Sequence, residues 1–117
     1  MYALVRTDLG MEEGKIASQA GHAFLGAYLQ CQDPKVLAEY HRDFPKSPGT
    51  KVCLQVPNLV ELHRIANAAR EAGLSTYIVV DSGCPNFFGG QPTVTALGIG
   101  PCHRDQIQHI TKKLKLL

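Results

Sequence analysis

Lys15, Gln19 and His22 stand at i, i+4 and i+7 in the stretch Arg6–Ala23. On a helix this spacing sets an ammonium, a carboxamide and an imidazole along a single face. Ile16, Ala20, Phe24, Ala27 and Cys31 fall on a different face, roughly 100° or more around the axis at 100° per residue. The expected helix therefore separates a core stripe from a polar row. A carboxylate, Asp81, ends the apolar run Thr76–Val80, and Thr93 and Thr95 open the run that follows. A carboxylate beside a lysine forms a pair suited to acid–base work and to stabilising developing charge.

Each of these residues also has an ordinary structural use. Lys15 and Gln19 suit a solvated helix face, and His22 suits a surface or packing site. Asp81 suits the start of a turn, Thr95 a strand, and Phe87 and Phe88 a core. No nucleophile elbow or familiar Ser-His-Asp order occurs, and the P-loop and complete dinucleotide-binding glycine motifs are missing. Spacing alone thus predicts a polar site at the strand ends of an α/β protein and no particular reaction.

The elements that must position these groups are legible in the chain. Tyr2–Arg6 reads as a short apolar strand. The long helix after it is expected to run to about Gln32, with Asp8 as its cap and Glu12 and Glu13 favouring its N-terminus. Gly10 and Gly14 are expected to weaken the first turn, Gly14 leaving room for something to approach the backbone. Asp33-Pro34 starts a second helix, Lys35–Asp43. Lys51–Val56 reads as a strand in which Cys53 breaks the alternation, a pattern of burial on both faces. Asn58–Glu61 resembles a capping box. Leu59, Leu62, Ile65, Ala66 and Ala69 then form the stripe of a third helix, closed by Gly73. Thr76–Val80 reads as a buried strand, the region 82–92 as a loop, and Thr93–Ile99 as a fourth strand stopped by Gly100-Pro101. A last helix runs from near Cys102 to about Lys113. The order is β-α-α-β-α-β-β-α, and helical crossovers between the first three strands predict a partly parallel sheet. In such sheets ligands gather at the carboxyl ends of the strands.

Size and composition agree with one domain spanning 1–117. Hydrophobic residues at 44% and charged residues at 19% are ordinary for a globular chain. A net charge of +2 permits nucleic-acid contact without a broad basic surface. The basic run Lys112, Lys113 and Lys115 suits a helix end. Cys31, Cys53, Cys84 and Cys102 show neither CxxC nor zinc spacing, so free thiols in a reducing, cytoplasmic setting are expected. No signal-peptide pattern and no membrane-length apolar segment is read.

Four blocks together carry a resemblance: Arg6-Thr7-Asp8-Leu9; Gly14-Lys15-Ile16-Ala17-x-Gln19-x-x-His22-Ala23; Val80-Asp81-Ser82-Gly83; and Thr95-Ala96-Leu97-Gly98-Ile99-Gly100-Pro101. In this order, with Leu114-Lys115-Leu116-Leu117 at the end, they resemble the archaeal/eukaryotic-type peptidyl-tRNA hydrolases, the Pth2 family. The resemblance implies an α/β domain with a small mixed four-stranded sheet and helices on both faces. It implies cleavage of the ester between a peptide and the 3′-terminal ribose of tRNA, with no metal or other cofactor, and a homodimer. It also implies Lys15, Asp81 and Thr95 as catalytic residues, and Asp8, Gly14, Gln19, His22 and Gly83 as substrate-binding ones. Thr93 is a rival to Thr95, because the intervening loop is about two residues longer than is usual in the family. The chain departs from the family at Cys84-Pro85, where Arg-Thr is usual. Pro85 offers neither a hydroxyl nor an N–H. Glu12 and Glu13 add negative charge where the family often has lysine. The alternative function is therefore a binding module for RNA or a protein partner on the same scaffold. A hydrolase using Cys84 as nucleophile needs a base or helix N-terminus beside that thiol.

Overall fold

A computed structural model describes residues 1–82 and 88–117. In chain order the elements are β1 (Tyr2–Arg6), α1 (Glu13–Gln30), α2 (Pro34–Tyr40), β2 (Val52–Val56), α3 (Leu59–Glu71), β3 (Thr76–Asp81), a 3₁₀ turn (Phe88–Gly90), β4 (Thr93–Ile99) and α4 (Arg104–Thr111). The four strands form one mixed sheet in the order β2-β1-β4-β3. β1 pairs parallel with β2, and β4 runs antiparallel to both β1 and β3. The expected α/β class, element order and partly parallel sheet are all present.

Strand alternation divides the core into two layers. On one face Leu4, Leu54, Val56, Leu97 and Ile99 meet Leu62, Ile65, Ala66 and Ala69 of α3 and Ile107 of α4. On the other, Ala3, Val5, Val79 and Ala96 meet Ala20 and Ala23 of α1. That second layer is built from small residues, so α1 lies close to the sheet. Gly98 is the tightest point: a Cβ built there would stand 2.0 Å from the Ala23 carbonyl oxygen.

The helix starts follow local chemistry. Asp33 Oδ1 accepts from the Lys35 and Val36 amides, with Pro34 opening α2. Asn58 Oδ1 accepts from the Glu61 amide at 2.9 Å, but the Glu61 carboxylate pairs with Arg64, so only half of a capping box forms. Gly73 closes α3 at φ +77°, a left-handed position that glycine takes without strain.

Three expectations are corrected. Asp8 does not cap α1, which starts at Glu13 after Glu12, because the Asp8 carboxylate is engaged by Arg6. Gly10 accordingly lies in the connection ahead of α1 and not in its first turn. Thr76–Val80 is not a buried strand: β3 is a sheet edge, and Tyr77 and Val80 are exposed. Its apolar run reflects α1 covering one face and the Ile78 side chain reaching the α3 layer. The opposite edge, β2, is partly covered by the end of the chain. There the Gln55 amide donates to the Lys115 carbonyl and the Leu117 amide to the Cys53 carbonyl.

Candidate active site

β1 and β3 both end, and β4 begins, at the same edge of the sheet, because β4 is antiparallel to its two neighbours. α1 starts over that edge. This convergence brings Lys15 to Asp81 across 66 residues of sequence: the Lys15 ammonium donates to Asp81 Oδ2. The Asp81 side chain is 8% exposed and that of Lys15 16%. The pair is thus largely sheltered, with Lys15 the more exposed member. Such an arrangement holds a carboxylate and an ammonium donor side by side, where water weakens their fields less than at an open surface.

A second contact joins α1 to β4. The Thr95 hydroxyl donates to Gln19 Oε1, and both residues are buried. The expected separation of polar and core faces on α1 is therefore corrected. Gln19 lies only about 40° around the helix from Ala23, at about 100° per residue. With Ala20, Ala23 and Ala27 it belongs to the buried stripe. The polar row borders the core, and its three members have different surroundings: Lys15 meets Asp81, Gln19 is internal, and His22 is exposed.

The orientation of Thr95 comes from a β-bulge. Val79 is registered with Ala96, but Val80 with Val94, so Thr95 is the extra residue of β4. In an uninterrupted strand Thr95 would share a face with Leu97, which packs towards α3 and α4. The bulge sets Thr95 on the α1 side beside Ala96, where Gln19 meets it. Thr93 is the register partner of Asp81, is half-buried, and donates its hydroxyl to the Gln91 carbonyl at 2.9 Å. Of the two threonines singled out in the sequence, Thr93 thus stands beside Asp81 at the strand end, and Thr95 meets Gln19 on the α1 side.

Of the other sequence-expected residues, Gly14 is exposed on the first turn of α1, and a Cβ there would meet nothing within 4 Å. Asp8 lies at the end of β1, held by Arg6 through bonds of 3.0 and 2.7 Å. The Arg6 guanidinium, by hydrogen bonding foremost, holds the Asp8 carboxyl below the usual carboxylate range. Gly83, Cys84, Pro85 and Phe87 lie outside the described residues. Arg6 was visible only as part of a motif, although an arginine two residues before a carboxylate at a strand end is a signal for a local ion pair.

Among the described residues no group of three or more His, Cys, Asp or Glu could hold a metal ion, and no helix is long and apolar enough to cross a membrane. Two grooves lie away from the Lys15–Asp81 pair. One, of about 910 Å³, is bounded by Tyr2, Glu39, Cys102 and His103 at the opposite edge of the sheet. The other, of about 580 Å³, is bounded by Phe24, Tyr28, Tyr40 and Phe44. Volume does not mark the site here; convergent charge does.

The fold and this cluster define an α/β protein with a lysine–aspartate pair at the carboxyl ends of its parallel strands. The family model described as "Peptidyl-tRNA hydrolase PTH2" matches residues 1–117, and the chain belongs to that family. It is 41% identical over 114 residues to the peptidyl-tRNA hydrolase of Methanothermobacter thermautotrophicus, covering 97% of this chain and 96% of the relative. It is 39% identical over 119 residues to the peptidyl-tRNA hydrolase of Methanocaldococcus jannaschii, covering 100% and 98%. A probable peptidyl-tRNA hydrolase 2 of Dictyostelium discoideum is 37% identical over 114 residues, which span 97% of this chain and 52% of that protein.

Proposed function

We propose that this protein hydrolyses the ester linking a peptide to the 3′-terminal ribose of tRNA. The observation that carries the reading is the sheltered Lys15–Asp81 pair at the strand ends; membership of the family supports it. Water adds to the ester carbonyl, the ribose oxygen leaves with a proton, and the products are a peptide acid and a tRNA 3′-hydroxyl. An ester of this kind is already activated. The protein therefore has to position a water, accept its proton and offset the charge growing on the carbonyl oxygen. In this reading Asp81 orients and deprotonates the water, and the Lys15 ammonium faces the developing oxyanion. Thr95 and Gln19 are buried, so they act by setting the height of α1 over β4. Asp8, Gly14, His22 and Gly83 are assigned to substrate binding by resemblance.

The test is ester cleavage of an N-blocked aminoacyl-tRNA by the purified protein, with Lys15→Ala alongside. Loss of the ammonium is expected to lower kcat/KM by about 10²–10³-fold, the range for removing one donor to a developing oxyanion. Intact substrate in the presence of the folded, unaltered protein would instead favour a binding module on this scaffold.

The exposed Leu25 and Leu29 of α1 and Tyr77 and Val80 of β3 support a homodimer, read by sedimentation as twice the chain mass. The free thiols of Cys31, Cys53 and Cys102 support a reducing compartment, the cytoplasm.

A further inference from the structure

We propose that Arg6, braced by Asp8, is a positioning residue that clamps the β4 bulge and so sets Thr95, Gln19 and the Lys15–Asp81 pair in register. The inference rests on the hydrolase reading for its kinetic arm alone.

β1 and β4 are registered as far as Val5 and Ala96, and the next pair along would be Arg6 with Thr95. The ladder stops short of that pair, and Thr95 is the residue that bulges in the pairing of β4 with β3. A bulge disrupts the ladder and frees backbone groups that an ordinary strand would pair. Arg6 supplies a partner at this point: its Nη1 donates to the Val94 carbonyl at 2.9 Å. The same guanidinium uses Nε and Nη2 to grip both oxygens of Asp8, at 3.0 and 2.7 Å. Its side chain is only 11% exposed. One planar group therefore ties the end of β1, the start of the connection to α1, and the residue immediately before Thr95. A fork of this kind fixes direction as well as distance. The Asp8 carboxylate, held ionised by Arg6, keeps the fork closed. The clamp reaches the chemistry through the chain Arg6–Val94–Thr95–Gln19, and Gln19 lies one helical turn from Lys15 on α1.

Lysine in place of Arg6 reaches one acceptor as a point charge and cannot hold the fork and the carbonyl together. Arg6→Met is expected to lower kcat by about tenfold, with KM changed by less than about twofold. In a Thr95→Val background the same change should cost less than about twofold, because the residue through which it acts is already lost. Arg6→Lys should recover part of the loss. Equal losses in both backgrounds, or a change in KM alone, would overturn the clamp. If Arg6→Met does not fold, Arg6→Gln runs through the same cycle, since a carboxamide cannot hold both Asp8 oxygens and the Val94 carbonyl together. A readout free of turnover separates this proposal from the hydrolase reading. In nitrogen-15 NMR spectra, Arg6→Met, or Arg6→Gln in its place, should shift the Gln19 carboxamide and the Thr95 amide. Unmoved signals overturn the clamp even if cleavage is normal. Shifted signals in a protein that leaves the ester intact retain the clamp and discard the reaction.

Discussion

Asp81→Asn is expected to lower kcat/KM on N-blocked aminoacyl-tRNA by about 10²–10⁴-fold, the range for loss of a positioned general base. The substitution preserves shape, so it isolates charge and basicity from packing. An amide cannot take a proton from water, and it leaves the Lys15 ammonium without the carboxylate it now meets. The effect should fall mainly on kcat, since proton removal belongs to the transition state. A cooperative melting curve from the same preparation shows that the loss is chemical and not unfolding. A decrease of less than about threefold would remove Asp81 from the role of base. Replacing both members together, as Lys15→Met with Asp81→Leu, should leave stability similar or raise it, because a sheltered ion pair offsets its own desolvation only in part. Activity would then be lost at this site without a matching loss of stability.

The second large effect lies away from the chemistry. Gly98→Ala is expected to destabilise the protein by about 3 kcal/mol, the upper part of the usual range for overpacking. The added methyl would sit 2.0 Å from the Ala23 carbonyl oxygen and 3.1 Å from the Ala27 Cβ. The first of these is helix backbone, which cannot turn aside as the tip of a flexible side chain can. Either α1 lifts or β4 bends. Thermal unfolding should show a fall in Tm on the order of 10 °C. Because α1 carries Lys15 and Gln19, turnover per folded molecule should drop as well. A melting temperature within about 2 °C of the unaltered protein would show that this layer tolerates more separation than its geometry indicates.

Element order, most helix ends and the identity of the charged pair were legible in the chain, because each is written in local chemistry. Asp33-Pro34, Asn58 and Gly73 mark boundaries through their own backbone and side-chain preferences. Lys15 on the helix after β1 and Asp81 at the end of β3 follow from position along single elements. The partly parallel sheet follows from helical crossovers. What the chain alone did not disclose depends on partners distant in sequence. β4 inserts between β1 and β3, so Thr76–Asp81 becomes an edge despite its apolar character. Helical periodicity placed Gln19 with Lys15, but its burial depends on how closely the small residues of β1 and β4 let α1 approach. Asp8 is the local exception: Arg6, only two residues before it, takes up the carboxylate that a helix cap would use. Thr95 is the sharpest case. Its face is set by one extra residue in the pairing of β4 with β3, and a two-residue alternation read along one strand contains no information about its neighbour's register. The sequence by itself determined which candidate groups the chain offers and which elements carry them. Only the tertiary structure decided which of them face one another, because register and helix approach are properties of pairs of elements and of no element alone.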